Sequence, residues 1–273
     1  WTPKILRAPT TKSEILSGIR RHLYKHADER KKFLLKTAEQ IYEEVSHSKH
    51  EWIRLVALGG FREVGRSCML LETEHTKILL DAGINFSSDD PYPYIDSLGY
   101  PMSEIDAMVI THAHSDHTGL VPYLTRLGFD GPIYCTEPTR DLMALLHFDY
   151  LDVSVANEKD VPFSEQDVKQ ALLQNITRDY REVTDIAPDM RLTLHNAAHI
   201  LGSASAHINI KEGVHNVVYS GDIKYGATRL FDNLDIKYPR LETLIVESTY
   251  GSQSAVQLSR QESEQKLIDI ILE

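Results

Sequence analysis

One nine-residue stretch constrains this chain more than any other: Thr111-His112-Ala113-His114-Ser115-Asp116-His117-Thr118-Gly119, which follows the apolar run from Ile105 to Ile110. A buried strand that breaks into a loop and then a helix start can aim His112 and His114 at one point and Asp116 and His117 at another nearby. Neutral imidazole nitrogen and carboxylate oxygen are borderline donors suited to Zn²⁺, and a catalytic zinc keeps a position open for water. The segment therefore reads as the seed of two zinc sites. A polar turn with exposed histidines is the bland alternative, and so dense a set of donors makes it the weaker one. A fold that uses this segment must bring other strand ends, with further ligands, to the same rim.

The composition permits such a fold. With 273 residues, 42% of them apolar and 25% charged, the chain is long enough for one large globular domain and a fragment or two. No apolar run approaches the ~20 residues of a membrane span, so no membrane partner is expected and a cytoplasmic location is. Trp1-Thr2-Pro3-Lys4 offers neither an initiator Met nor a signal peptide, and Leu267 to Glu273 stops inside a helical pattern, so the chain is expected to be a piece of a longer one. Cys68 and Cys135 lie in apolar strand-like surroundings without CxxC spacing and read as core residues, not as a disulfide or a zinc ligand pair. The formal charge is −11 but uneven: residues 1–36 hold ten Lys/Arg against three Asp/Glu, or +7, and the remainder 19 against 37, or −18. A uniformly basic nucleic-acid surface is excluded, and the basic start reads by itself as a solvated helix face.

Lys12 to Tyr42 is predicted as helix, because Ile15, Ile19, Leu23, Phe33, Leu34, Ala38 and Ile41 recur at steps of three and four. Strands are predicted at Trp52–Leu58, Cys68–Glu72 and Lys77–Asp81, an antiparallel meander punctuated by Gly59-Gly60, Gly65 and the Glu74-His75-Thr76 turn. After a loop from Ser87 to Pro101, strands and helices alternate. The helical patterns are Leu120–Leu127, Thr139–Tyr150 and Ser164–Asn175; the strands are Pro132–Cys135, Arg191–His195, Ala206–Ile210, Val217–Ser220 and Leu244–Glu247. Ser259-Arg260-Gln261-Glu262 is a capping box that opens a last helix. The count favours two sheets with helices outside them, a layered α/β arrangement.

Further ligands should sit at strand ends. His199 follows the strand Arg191–His195, Asp222 ends Val217–Ser220 where two metals could share a carboxylate, and Asp81 ends Lys77–Asp81, placed to orient a ligand from behind. His195 and His207 are alternatives to His199, but they lie within strands and not at a rim. Each of these residues alone is more often a turn former or a surface group. Together with the opening motif they agree in order, type and placement.

At this point Thr111 to Gly119 resembles the HxHxDH signature of the metallo-β-lactamase superfamily, and Asp81, His199 and Asp222 resemble its other metal-site motifs. Leu58-Gly59-Gly60-Phe61-Arg62-Glu63-Val64-Gly65-Arg66-Ser67-Cys68 and Val246-Glu247-Ser248-Thr249-Tyr250-Gly251 are similar to the β-CASP branch, nucleases that process RNA 3′ ends, and most of all to its archaeal cleavage and polyadenylation specificity factor homologues. The resemblance implies a four-layer αββα sandwich with a helical N-terminal extension and a truncated β-CASP start. Residues 1–50 would be the linker after missing KH domains, 51–248 the incomplete metallo-β-lactamase domain and 249–273 the beginning of the β-CASP domain.

It also implies two zinc ions, one held by His112, His114, His199 and Asp222, the other by Asp116, His117 and the shared Asp222. Asp116 would help orient the nucleophile, and Glu247 would support a later histidine that protonates the leaving group. The implied activity is a zinc-dependent endoribonuclease, with 5′-to-3′ exonuclease action as a second mode, serving RNA 3′-end processing and transcription termination. RNA, the KH and β-CASP parts of the same protein, and a second copy in a homodimer are the implied partners. Because the resemblance implies later ligands beyond Glu273, the 273-residue chain is expected to cut RNA weakly if at all. Two other classes compete: a small-molecule hydrolase of the glyoxalase II or lactamase kind, which shares the opening motif, and a non-catalytic RNA-processing scaffold, which the retained ligands oppose.

Overall fold

The computed structural model describes residues 12–45, 52–158, 160–226, 228–255 and 258–272. Two sheets stack face to face. The first contains β1 (Ile53–Gly59), β2 (Cys68–Thr73), β3 (Lys77–Leu80), β4 (Ala107–Val109), β5 (Ile133–Cys135) and β6 (Asn175–Thr177), hydrogen-bonded in that order. β1 to β3 pair antiparallel, as the short turns between them allow, whereas β3 to β6 run parallel. The second contains β7 (Val183–Ala187), β8 (Met190–Asn196), β9 (Ala204–Ile210), β10 (His215–Tyr219) and β11 (Thr243–Ile245), arranged β11-β10-β9-β8-β7. Its pairs are antiparallel except for β10 with β11.

Parallel neighbours need long crossovers. Two helix pairs supply them outside the first sheet: α3 (Ser115–Thr118) with α4 (Val121–Arg126) between β4 and β5, and α5 (Glu137–Ala156) with α6 (Glu165–Gln174) between β5 and β6. The period of two along each strand then divides the side chains between two cores. Met69, Leu71, Ile78, Leu80, Val109 and Tyr134 pack between the sheets against Met190, Leu192, Leu194, Ile208 and Val217. Leu70, Leu79, Met108, Ile133 and Cys135 point the other way, onto Leu120, Leu124, Met143 and Ala171 of the helix layer. Burial on both faces is why these strands read as continuous apolar runs and not as alternations. Leu71 and Leu79 are wholly buried, and truncating either to alanine is worth about 2–5 kcal/mol. The two cysteines are buried and unpaired, as expected.

The N-terminal helix differs from its prediction. The run Lys12 to Tyr42 breaks at His26 into α1 (Lys12–Lys25) and α2 (Ala27–Ile41). Tertiary packing requires the bend. On α1, Ile19 with Ile15 and Leu23 docks on Ala144 and Leu172 of the helix layer, while α2 turns to send Phe33 to the inter-sheet core. The Arg30 guanidinium donates to the carbonyls of Leu173 and Asn175, which ties α2 to the edge of the first sheet. Two edge strands, β6 and β7, carry too little apolar alternation to be found from sequence. The last helix, α7 (Arg260–Leu272), starts as the capping box predicts: the Glu262 amide donates to Ser259 Oγ and the Ser259 amide to Glu262 Oε2. Among the described residues no helix is long and apolar enough to cross a membrane.

Candidate metal centre

Parallel strands deliver their C-terminal ends to one rim, and this rim gathers the donors. β3 ends into Asp81, β4 into Thr111 and His112, β10 into Ser220-Gly221-Asp222, and the β8–β9 turn presents His199. His112 Nε2 lies 3.1 Å from His114 Nδ1, which lies 3.2 Å from His199 Nε2. Asp222 Oδ2 completes the group at 3.5 Å from His199 Nε2 and 3.8 Å from His112 Nε2. A tetrahedral zinc with Zn–N of about 2.0–2.1 Å sets its ligand atoms roughly 3.3–3.4 Å apart. The donor set fits a divalent cation of that size.

A second group adjoins the first. His117 Nε2 lies 3.3 Å from Asp222 Oδ1 and 3.8 Å from Asp116 Oδ2. Within each group the donor atoms all fall within 4.8 Å of one another, and Asp222 belongs to both, one oxygen turned to each.

Behind them Asp81 is wholly buried and acts as a hub. Its Oδ1 accepts the Thr111 amide at 2.8 Å, and its Oδ2 accepts the Thr111 hydroxyl at 2.8 Å and His117 Nδ1 at 2.7 Å. The Asp81 backbone sits at φ 59°, a left-handed conformation that aspartate tolerates better than most residues. Burial disfavours charge on His117, but Asp81 and Asp222 on either side outweigh it and raise its pKa to about 10. His112 goes the other way, pushed well below its ordinary value by burial and then by the neighbouring His117, His114 and His199, so it is a neutral donor. Burial would raise the Asp222 carboxyl, yet the hydrogen bond and charge of His117 hold it below the usual range.

Two glycines let the rim close. A Cβ on Gly83 would stand 1.6 Å from the Asp116 carbonyl oxygen, and one on Gly221, at φ +53°, would meet Thr111 Oγ1 at 2.6 Å. The first packs β3 against the helix start that carries Asp116 and His117. The second brings Asp222 to β4.

All seven sequence-chosen residues of the rim, Asp81, His112, His114, Asp116, His117, His199 and Asp222, come together. Glu247 stands on the wall of the same groove of about 440 Å³, with Asp116, His117, Asp222 and the Gly59–Gly65 loop. Its carboxylate accepts the Thr249 amide at 2.8 Å, and its own amide donates to Ser220 Oγ at 3.0 Å. The alternatives His195 and His207 stay within β8 and β9, their rings 5.9 Å apart beside Tyr238, outside the donor groups. Sequence reasoning missed Thr111 as the partner of Asp81. It also missed Tyr219, a buried residue whose acidity burial, then the charge of Asp81, suppress. The only signal for Tyr219 is its place at the end of the apolar run before Ser220-Gly221-Asp222.

A layered sandwich with a two-part His/Asp rim defines a class of metal-site hydrolase folds, and the chain belongs to the metallo-beta-lactamase superfamily, whose profile matches residues 62–264. Within it, the chain is similar to transcription termination factor FttA of three archaea. It is 50% identical over 274 residues to that of Methanothermobacter thermautotrophicus, 48% over 270 to that of Methanosarcina mazei and 44% over 274 to that of Methanocaldococcus jannaschii. The alignments take in 99%, 98% and 100% of this chain but 43%, 42% and 43% of those relatives, so the chain spans under half their length. The archaeal resemblance read from the motif and its flanks holds.

Proposed function

We propose that this chain carries the zinc-binding half of a ribonuclease acting in RNA 3′-end formation and transcription termination. The observation that supports the reading most directly is the shared Asp222, whose two oxygens face two separate donor groups. His112, His114, His199 and Asp222 would hold one zinc, and Asp116, His117 and Asp222 the second. Bound there, the pair would lower the pKa of an attacking water and neutralise phosphate oxygens.

The chain's own groups do the rest. Asp81 holds His117 by Nδ1 so that Nε2 faces the rim. The Asp116 carboxylate, partly exposed in the groove, orients the nucleophile and takes its proton. Glu247, pinned by the Thr249 amide, positions the donor that protonates the departing 3′ oxygen. The products are a 3′-hydroxyl and a 5′-phosphate. KH and β-CASP parts would clamp the RNA in the longer, dimeric, cytoplasmic protein, with endonucleolytic cutting and 5′-to-3′ trimming as its two modes.

The test is direct. The longer protein, loaded with zinc, is given a labelled oligoribonucleotide and, separately, a thioester; cleavage of RNA to 3′-hydroxyl ends is the expected result. Thioester hydrolysis without RNA cleavage would move the chain to the small-molecule hydrolases.

A further inference from the structure

The basic N-terminal helices are not absorbed by the metal rim. Arg20, Arg21 and Lys25 on α1 and Lys31 and Lys32 on α2 are all exposed, and none meets a carboxylate among the described residues. Their neighbours behave differently: Lys36 pairs with Asp130 at 2.6 Å, and Arg30 turns inward to main-chain carbonyls. With Ile19 buried on α1 and Thr37 on α2, the 100° step per residue puts all five cations on the outward halves of the two helices. Tyr24 stands among them 87% exposed.

Like charges at i,i+4, as in Arg21–Lys25, repel, and although the exposed Glu14, Asp28 and Glu39 share these outward faces, the five cations outnumber them. An acidic chain of net charge −11 gains nothing in solubility from concentrating that repulsion in one place. A polyanion relieves it. Cations interleaved with an exposed aromatic ring are what single-stranded nucleic acid meets, phosphates on the cations and a base on the ring. The surface is also held firmly, through Ile15, Ile19 and Leu23 on Ala144 and Leu172 and through Arg30 at the sheet edge.

We propose that the outward faces of α1 and α2 form a docking surface for single-stranded RNA, separate from the groove that holds the metal rim. The choice of RNA as the polyanion rests on the ribonuclease reading; the surface itself does not. It retains substrate and plays no part in the cut.

Anisotropy of a labelled oligouridylate of about 20 nucleotides, bound to this chain across a salt series, tests it. Each phosphate contact adds roughly 0.7 to the log–log salt slope for single strands. The variant R20Q/R21Q/K25Q/K31Q/K32Q should bind at least ~10-fold more weakly near 0.1 M salt, with a slope reduced by up to ~3.5. Tyr24→Ala should weaken binding with little change of slope. R181Q/R191Q, beside and on the second sheet, should leave affinity intact; because binding is read without cleavage, a failed ribonuclease reading and a failed docking surface give different results. The pairs R20Q/R21Q and K31Q/K32Q, and the charge-preserving K25R/K31R/K32R, serve if the fivefold variant does not fold; the last should bind as the parent does. Unchanged affinity and slope in the neutralised variants overturn the proposal. Equal losses for duplex DNA of the same length overturn its assignment to single-stranded RNA.

Discussion

The Asp81 carboxylate accepts His117 Nδ1 at 2.7 Å, and the same ring presents Nε2 to Asp222 at 3.3 Å. A carboxylate behind an imidazole fixes both its tautomer and its direction, and removing such a partner costs about 10–100-fold in metal affinity. Asp81→Asn should therefore weaken zinc binding by that factor. It should also lose ~1–3 kcal/mol of stability, because an amide nitrogen would face the Thr111 or His117 donors. Competition with a chelating dye and a urea titration measure the two effects; unchanged zinc affinity would remove Asp81 from the role.

Asp116 belongs to one donor group only, and among the described residues its carboxylate accepts no hydrogen bond that supports the fold, its one charged neighbour being His117 at 3.8 Å. Asp116→Ala in the longer protein should lower RNA cleavage by roughly 10³-fold or more, since activation of water at a metal site is worth several kcal/mol of barrier. RNA affinity should hardly move. Cleavage at the parent rate would end the assignment.

The isolated chain should take up at least one zinc and cut RNA poorly. Each zinc held at ~10³ times its Kd adds about 4 kcal/mol to folding stability, so melting should rise on adding zinc and fall back with a chelator. Elemental analysis that finds two tightly held zinc ions, together with brisk cleavage by this chain, would contradict the expectation.

Gly83→Ala should be severe. The new Cβ would land 1.6 Å from the Asp116 carbonyl oxygen, so the backbone must move at the helix start that carries two donors. A loss of about 3 kcal/mol, the upper range for overpacking, is expected with a fall in zinc uptake. A variant that melts and binds zinc as the parent does would show that the contact can yield.

Away from the donors, His147 is buried on α5 and hydrogen-bonds the Thr118 carbonyl at 2.9 Å, while burial lowers its pKa to about 4. Its folded pKa lies below the ordinary 6.5, so above that value the ring is neutral in both states. Between about 6.5 and 4 the unfolded chain takes the proton first, and stability falls as pH falls, by up to ~3 kcal/mol. His147→Gln, which keeps a donor for Thr118, should flatten that part of the stability–pH curve. An unchanged slope would assign it to the other buried histidines.

The site was more legible than the fold. His112 to His117 could be read because ligand chemistry is written in residue types a few positions apart, and Asp81, His199 and Asp222 because strand ends are marked by glycine and polar residues after apolar runs. The inter-sheet core was visible for the same reason. By contrast β6 and β7, and the break at His26, depend on which neighbours the segments pack against, and a local pattern does not carry that information.

The linear chain thus determined the donor types, their order and the strands that bear them. Only the tertiary structure decided that Asp222 turns one oxygen to each donor group, that Thr111 and His117 share Asp81, and that His195 and His207 stay out. Those outcomes depend on which strand lies beside which and on distances of a few tenths of an ångström. Long-range packing sets both, through contacts such as Gly83 on Asp116 and Gly221 on Thr111.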